Sequence, residues 1–344
     1  MTKSCKYGTH RVVKPLGVLP QAAEIINPTP VAHDNECLVD VDTLNIDSAS
    51  FHQIRMAARD DVDVMKDMIL DIVKTRGKMQ NPVTKSGGML LGRVKEIGSA
   101  FHDRTLTPGT KIATLVSLSL TPLWIEEILS IDLKTDQVDI RGQAIVFDSG
   151  VYARIPEDIE EKLALATLDV AGAPAQVDKL AKEGDTVLII GGAGKSGLLC
   201  ARAAKDKVGP HGRIIGLVNE TAQRELLETL PFYDAILLAD AQNPLAVYEA
   251  VCEATDGSLA DLTLNVVNVE NTEMTSVLAT REGGTVYFFS MATSFTKAAL
   301  GAEGVGKDVT MIIGNGYTAN HAVFALDILR RDRHIRTLFS KRYT

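Results

Sequence analysis

A glycine-rich turn is the part of this sequence whose residue types and spacing most directly suggest chemistry. Gly192, Gly194 and Gly197 fit the pattern G-x-G-x-x-G. This spacing lets a backbone approach a pyrophosphate at a helix N-terminus, where the first amide N–H groups have no partner within the helix. Lys195 and Ser196 lie inside the turn, where their side chains could touch a phosphate. The pattern therefore predicts a dinucleotide site.

The segments around the turn support this prediction. An apolar, β-branched stretch at residues 187–190 precedes the glycines, and an Ala/Leu-rich helical pattern follows them. A second apolar strand ends at Val218, about twenty residues after Gly197, where a ribose-binding residue belongs. Further strands (234–238, 262–267, 285–289) alternate with helices (243–254, 272–281). Such alternation predicts a doubly wound parallel sheet, the Rossmann fold.

Gly194, Lys195 and Ser196 also resemble the end of a nucleoside-triphosphate P-loop. That loop requires another glycine five residues before Gly194, and Ile189 occupies this position, inside the strand. The loop is therefore too short to wrap a β-phosphate, and the dinucleotide interpretation is preferred.

The residues after the second strand bear on the choice between NAD and NADP. An acid at the end of that strand binds the ribose 2′-hydroxyl and repels a 2′-phosphate. Val218 or Asn219 holds this position, Glu220 follows, and Arg224 is the cation nearby. The sequence predicts NAD or NADP as cofactor, with Glu220 favouring NAD. Two more predicted cofactor contacts close later strands, namely Asn268 and Ser290.

Composition narrows the class of protein. A chain of 344 residues predicts about two domains. The formal net charge of −8 argues against nucleic acid as a partner, and no apolar run approaches the length of a membrane span. The four cysteines lie far apart without a C-x-x-C pair, which predicts reduced thiols in a cytoplasmic protein.

The first half of the chain has a different pattern. Short strands punctuated by Gly and Pro are predicted at residues 36–44, 92–98, 110–116, 142–147 and 151–155. They indicate a partly open β-barrel. Between them, residues 63–74 predict a helix whose apolar face consists of Val64, Met68, Ile69, Ile72 and Val73. We expect a first domain at 1–165, a Rossmann domain at 166–315, and a tail at 316–344 that returns to the first domain. In that tail a helix precedes a final strand at 335–339.

Three segments in this order resemble the medium-chain dehydrogenase/reductase superfamily: GRVKEIG (92–98), TPGTKIA (107–113) and LAKEGDTVLIIG (180–191). More narrowly, KYGTHRV (6–12), NIDSASF (45–51), GKMQNPVT (77–84), SLSLTP (117–122) and DVAGAPAQ (169–176) resemble the L-erythro-3,5-diaminohexanoate dehydrogenase family. The resemblance implies a GroES-like barrel domain joined to the Rossmann domain. It also implies oxidative deamination of the diamino acid to 5-amino-3-oxohexanoate with reduction of a nicotinamide cofactor, in lysine fermentation.

Many members of the superfamily bind a catalytic zinc through Cys and His. The corresponding windows at 45–47, 86–88 and 169–172 contain neither residue, so the resemblance implies a zinc-independent enzyme with no metal site. An ammonium must lose a proton before its carbon can give up hydride, and a carboxylate can accept that proton and stabilise the cationic iminium. Asp47 and Asp169 are the predicted catalytic carboxylates, with Ser48 as a possible proton relay. The alternative is that both are structural, with Asp47 capping the turn Asp-Ser-Ala-Ser and Asp169 capping a helix.

The sequence leaves open which cation binds the substrate, how many chains assemble and which of several functions applies. The substrate carboxylate needs a cation, for which Lys78, Lys85 and Arg55 are candidates. The apolar region 285–316 suits a homodimer, as in relatives. Two alternative functions remain: a zinc-free quinone or enone reductase, whose rate Asp169→Asn would leave nearly intact, and a non-catalytic NAD(P)-binding sensor, which a turnover assay would distinguish.

Overall fold

The computed structural model describes residues 4–343, which form two compact units. The first unit extends to Leu165, and the second comprises Ala166–Arg342. The division falls inside a helix of the Ala/Leu-rich segment.

The first unit contains mostly antiparallel strands with two helices inserted after the third strand. Its elements are a 3₁₀ turn (Thr9–Arg11), β1 (Val12–Lys14), β2 (Ile25–Ile26), β3 (Glu36–Asn45), α1 (Ser48–Ala57), α2 (Val62–Arg76), β4 (Met89–Ile97), β5 (Lys111–Thr114), β6 (Leu123–Asp132), β7 (Gln137–Phe147), β8 (Tyr152–Arg154) and the start of α3 (Glu161–Leu168).

Six of these strands form one sheet in the order β6-β7-β3-β4-β5-β8, with antiparallel neighbours. Within the described chain the outer strands β6 and β8 are not paired with each other, which confirms the partly open barrel. The interior is apolar and includes Val39, Leu44, Phe51 and Ile69. Strand β6 was not predicted, because at this edge of the sheet many of its side chains face solvent, including the single tryptophan, Trp124.

Helix α2 confirms the predicted helix, but its buried stripe begins at Met65 rather than Val64. Met65, Ile69, Ile72 and Val73 are buried, Met68 is partly buried, and Val64 is 43% exposed. The spacing of four and then three residues places the buried set on one face of the helix.

The second unit is the predicted doubly wound sheet. Its elements are the rest of α3, α4 (Gly172–Leu180), β9 (Thr186–Ile190), α5 (Lys195–Val208), β10 (Arg213–Val218), α6 (Thr221–Glu228), β11 (Ala235–Leu238), α7 (Pro244–Ala254), β12 (Ala260–Asn265), α8 (Glu273–Ala279), β13 (Thr280–Phe288), α9 (Phe295–Val305), β14 (Thr310–Ile313), α10 (His321–Arg331) and α11 (Arg333–Tyr343).

All pairs in this sheet are parallel, in the order β11-β10-β9-β12-β13-β14. The strand order reverses at β9, so a crevice forms at the carboxyl ends of β9 and β12. Strands β9 and β12 are buried almost throughout, as a sheet covered on both faces requires.

The tail differs from the prediction in two ways. Residues 335–339 were expected to form a strand, which is wrong: Ile335 and Phe339 are fully buried on one face of α11. Asp332 caps this helix by accepting bonds from the N–H groups of His334 and Ile335 at 2.8 and 3.1 Å. In addition, α10 packs on α4 and α5, so residues up to Arg342 group with the second unit rather than with the first.

None of the helices formed by residues 4–343 combines the length and the apolar character that crossing a bilayer requires. All four cysteines are free thiols, as expected from their spacing.

Candidate functional site

The glycine turn connects β9 to α5 at the carboxyl edge of the parallel sheet. Gly191 has φ +92°, a conformation that side-chain-bearing residues rarely adopt. The N–H groups of Gly191 and Gly192 both donate to the carbonyl of Leu217 at 3.1 Å. The hydroxyl of Tyr233 donates to the carbonyl of Gly192 at 2.7 Å. These bonds fix the turn, so the N-terminus of α5 is held in place.

The turn has the close packing and the open face that a pyrophosphate requires. A Cβ added to Gly197 would lie 2.3 Å from the carbonyl oxygen of Gly191, so only glycine fits there. A Cβ on Gly194 would meet its nearest atom at 3.5 Å, which leaves space beside the first turn of α5. Gly194 is the N-cap of α5 and provides no side-chain cap. These residues therefore fit a dinucleotide held by backbone N–H groups.

Two cations lie at this turn. Lys195 begins α5, and its Nζ lies 2.6 Å from Oδ2 of Asp169. Arg342 of α11 donates from Nη1 to the carbonyl of Ala193 at 3.0 Å. The contact of Arg342 was not predicted, because residues 335–339 were expected to form a strand and no helix was expected to reach the turn. The structure thus brings Lys195 and Asp169 together, whereas the sequence had assigned them to cofactor and substrate separately.

Asn219 and Glu220 lie where the ribose-binding residue was predicted. Both follow β10 directly and are exposed. Glu220 is the N-cap of α6, but its side chain makes no cap hydrogen bond. Arg224 donates to Glu228 at 3.0 Å, so the guanidinium nearest in sequence already has a carboxylate partner. This arrangement suits a ribose 2′-hydroxyl better than a 2′-phosphate.

The remaining predicted cofactor residues follow β12 and β13. Asn268 is exposed three residues beyond the end of β12, and Ser290 donates its N–H to the carbonyl of Asn265 at 3.3 Å. Asn265 itself is fully buried and donates to Thr272 and Ser276 at 2.8 and 2.9 Å. Its Oδ1 has no partner within residues 4–343. Asn265 was not predicted as a site residue, because nothing in the sequence distinguishes it from other residues of a buried strand.

In the first unit, Asp47 lies between β3 and α1. Its Oδ1 caps α1 by accepting from the N–H of Ser50 at 3.0 Å, whereas Oδ2 is buried without a hydrogen-bond partner in the described chain. A buried carboxylate oxygen without a donor is costly unless a ligand supplies one. Ser48, the predicted relay, is exposed on the first turn of α1. Asp47 is therefore both a cap and a candidate acceptor.

The loop that supports Asp47 is held by hydroxyl groups and one glycine. Ser50 Oγ lies 2.6 Å from Thr84 Oγ1 and 2.9 Å from Ser86 Oγ. Gly88 has φ +97°, and a Cβ added there would lie 2.7 Å from the backbone N of Asp47. Because a side chain at Gly88 would displace this backbone, the loop fixes where the Asp47 carboxylate lies.

The three candidate cations for the substrate carboxylate differ in availability. Lys78 is fully buried and donates to the carbonyls of Pro20 and Gln21 at 2.7 and 3.2 Å, which contradicts its predicted role. Burial lowers the pKa of Lys78 to about 8. Arg55 is paired with Asp60. Lys85 lines a cavity of about 750 Å³ and is the candidate that the structure leaves accessible.

One group of potential metal ligands is present among residues 4–343, namely His10, His33 and Glu36. Arg11 donates to both oxygens of Glu36 at 2.7 and 2.6 Å. Nδ1 of His10 accepts from the N–H of Cys5 at 3.0 Å, which assigns the proton to Nε2, and Nε2 donates to Glu36 at 2.8 Å. Because the Glu36 carboxylate is already bound by Arg11 and His10, the group fits an ion-pair network rather than a metal site.

Comparison with known proteins places the chain in a family. Residues 10–156 match the family described as L-erythro-3,5-diaminohexanoate dehydrogenase N-terminal domain. The chain is 57% identical to the L-erythro-3,5-diaminohexanoate dehydrogenase of Acetoanaerobium sticklandii over 343 residues, 99% of each chain. It is 55% identical to the enzyme of the same name from Fusobacterium nucleatum over 344 residues, all of both chains. The chain belongs to the L-erythro-3,5-diaminohexanoate dehydrogenase family.

Solved structures agree with this family at the level of the fold. An alcohol dehydrogenase from Thermotoga maritima aligns with a TM-score of 0.56 and 15% identity, covering 92% of this chain and 86% of that one. The predicted architecture of a GroES-like barrel joined to a Rossmann sheet is therefore confirmed.

Proposed function

We propose that this protein oxidatively deaminates L-erythro-3,5-diaminohexanoate at C3. The diamino acid, water and oxidised NAD or NADP would give 5-amino-3-oxohexanoate, ammonia, the reduced cofactor and a proton. The observation that carries the proposal is the identity of 57% to a named enzyme of this activity over nearly the whole chain. The glycine turn of the second unit, which fits a dinucleotide pyrophosphate, supplies the cofactor site that the reaction requires.

Asp47 is the proposed proton acceptor. The C3 substituent is an ammonium at neutral pH and has to lose a proton before its nitrogen can assist hydride departure. Oδ1 of Asp47 is occupied by the cap bond, and Oδ2 has no donor among the described residues. We propose that Oδ2, the acceptor left without a donor, accepts from the substrate nitrogen, and that the carboxylate stabilises the iminium that water then hydrolyses. Ser48, exposed beside it, is the proposed relay to solvent.

When bound, the oxidised nicotinamide supplies the acceptor for hydride. On the protein side, Gly192, Gly194, Ser196 and Gly197 provide the backbone cradle at α5. The exposed carboxylate of Glu220, beside Asn219, supports NAD as the preferred cofactor, and Asn268 and Ser290 are proposed to contact its nicotinamide half. Asp169, the second carboxylate, is paired with Lys195, so we do not assign it proton transfer.

We also propose a zinc-independent reaction, a cytoplasmic location and a homodimer. The four free cysteines support the cytoplasmic location, because thiols stay reduced in that compartment. Strand β14 forms one edge of the parallel sheet and exposes Ile313, and the adjacent α9 exposes Phe295 and Leu300. An apolar sheet edge of this kind suits pairing with a second copy. Light scattering on the purified protein would give the number of chains per particle.

A turnover assay tests the function. Purified protein with the diamino acid should reduce NAD, and NADP more slowly, with one ammonia released per reduced cofactor. Simple alcohols should give no reduction. Reduction of a quinone or enone by NADPH, with no ammonia from the diamino acid, would favour the reductase alternative. Cofactor binding without any turnover would favour the sensor.

A further inference from the structure

Asp169 and Lys195 form an ion pair at the point where the second unit fits a cofactor phosphate. The side chains of Lys195 and Asp169 are 22% and 20% exposed, and their charged atoms lie 2.6 Å apart. Lys195 is the first residue of α5, and Asp169 follows α3 directly. The pair therefore connects the glycine turn to the segment between α3 and α4.

The segment around Asp169 does not depend on this pair for its position. The N–H of Ala171 donates to the carbonyl of Leu168 at 3.2 Å. A Cβ on Gly172 would lie 2.2 Å from the carbonyl oxygen of Gly316, so the start of α4 packs closely on that backbone. With about a fifth of each side chain exposed, the pair is partly screened by solvent, and its contribution to folding stability is modest. The pair thus calls for an explanation other than stability.

The charges at the glycine turn suggest what else the ion pair of Asp169 and Lys195 does. The N-terminus of α5 carries a partial positive charge, and the ammonium of Lys195 adds a full one. Asp169 cancels the charge of Lys195. A phosphate that approaches this helix end can attract Lys195 as well, so carboxylate and phosphate are rival partners for one ammonium.

We propose that Asp169 is a positioning residue that competes with the cofactor phosphates for Lys195. Without cofactor, Asp169 neutralises Lys195 and holds it beside the turn. With cofactor bound, Lys195 donates to a phosphate oxygen and the Asp169 carboxylate is released. Asp169 therefore weakens dinucleotide binding, and its effect passes through Lys195. This inference rests on the proposed use of NAD or NADP but not on the identity of the substrate.

Titration of the purified protein with NADH, followed by the fluorescence of the reduced nicotinamide, tests the proposal without any turnover. Asp169→Asn should bind NADH about threefold to fivefold more tightly, the range that a partly exposed ion pair allows. Lys195→Gln should bind about tenfold more weakly, because a charge-assisted contact is lost. The double variant should match Lys195→Gln alone, because the effect of Asp169 passes through Lys195.

An ion pair between α4 and α5, farther along α5 from the glycine turn, provides the control. Asp178 of α4 lies 3.2 Å from Lys207 of α5, with exposures of 32% and 41%. Asp178→Asn also removes one carboxylate charge from a lysine of α5, and it should leave NADH affinity unchanged. Adenosine, which lacks phosphate, should bind wild type and Asp169→Asn equally.

Three outcomes would overturn the proposal: unchanged or weaker NADH binding by Asp169→Asn, additive effects in the double variant, or an equal gain in Asp178→Asn. If Asp169→Asn does not fold, Asp169→Ser, which also lacks the charge, takes its place in the NADH titrations with the same expected result. Failure of the deamination proposal would appear only in the turnover assay, so the two failures are distinguishable.

Discussion

The carboxylates of Asp47 and Asp169 lie in different units and have opposite surroundings. Asp47 has one oxygen committed to a helix cap and one buried oxygen without a donor among the described residues. Asp169 faces an ammonium at 2.6 Å. A proton acceptor needs a carboxylate oxygen that no other donor already occupies, whereas the carboxylate of Asp169 already has an ammonium as its partner. Two aspartates therefore differ in the role that their surroundings allow: Asp47 can accept a proton, whereas Asp169 is the partner of an ammonium.

The largest expected effect is a loss of turnover on substitution of Asp47. Asp47→Asn keeps a cap for α1 but cannot accept the proton, so kcat for the diamino acid should fall by about 10²- to 10⁴-fold. NADH affinity, measured by fluorescence titration, should stay as in wild type. Asp61 caps α2 through the same kind of bond, to the N–H of Asp63 at 3.0 Å, and provides the matched control. If Asp61→Asn lost as much activity, Asp47 would be only a cap.

The next prediction concerns the loop that holds Asp47 in place. Gly88→Ala should lower the free energy of unfolding by about 2–4 kcal/mol, because it adds strain at φ +97° and a collision with the Asp47 backbone. Gly109 has φ +87° with open space around the added Cβ, so Gly109→Ala measures the conformational strain alone. Urea unfolding of both variants gives the difference. Equal losses would show that packing at Gly88 does not restrain Asp47.

A smaller effect is expected on cofactor binding when Arg342, beside the glycine turn, is replaced. Arg342→Gln should weaken NADH binding about tenfold, because the guanidinium beside the carbonyl of Ala193 no longer offers charge to a phosphate. Lys341 is its exposed neighbour on α11, and Lys341→Gln removes the same charge one residue away. The affinity loss in Arg342→Gln should shrink as salt is raised. A loss independent of salt would mean that Arg342 only supports the turn.

The smallest expected effect is on how stability depends on pH, to which one carboxyl group in each unit contributes with opposite sign. Burial alone would raise the pKa of Glu36, but bonds from Arg11, the backbone of His33 and His10 outweigh it and hold this pKa below its ordinary value. Burial raises the pKa of Asp185 in the second unit. Glu36 therefore adds stability above its ordinary pKa of 4.5, which is lost as the pH falls through the lower folded-state value. Asp185 adds stability below its ordinary pKa of 3.8, which is lost as the pH rises through the higher folded-state value.

Unfolding free energies between about pH 3 and pH 6 would check this contrast. Compared with wild type, Glu36→Gln should lose stability less steeply on acidification, and Asp185→Asn should lose it more steeply. Parallel pH dependences in wild type and both variants would contradict the assignment of opposite signs.

Sequence patterns predicted the second unit well because their physical cause is local. Strands buried on both faces read as apolar runs, and the glycine turn has a spacing that few other structures need. The edge strand β6 escaped prediction because its exposed side chains give no such run. Ile335 and Phe339, four residues apart, fit both a strand and a helix, and burial of one helix face decided between them.

The site was harder to predict because its chemistry depends on partners distant in sequence. Lys78 looked like a solvent-facing cation, but two carbonyls 57 and 58 residues away bind its ammonium inside the unit. The pair of Asp169 with Lys195 spans 26 residues, and the bond from Arg342 to the turn spans 149. Spacing along the chain cannot reveal such pairs. The unpartnered oxygen of Asp47 is equally invisible in the sequence, since only the fold shows that Oδ1 caps α1 while Oδ2 is buried without a donor among the described residues.

The position of Trp124 on β6 has an optical consequence. As the single tryptophan, it makes tryptophan emission, excited selectively over tyrosine, a reporter of the barrel alone, whereas far-ultraviolet dichroism records the helices of both units. A melt followed by both signals will superimpose only if barrel and Rossmann sheet unfold as one cooperative body. Two separated midpoints would assign the earlier or later one to the barrel directly, without cutting the chain.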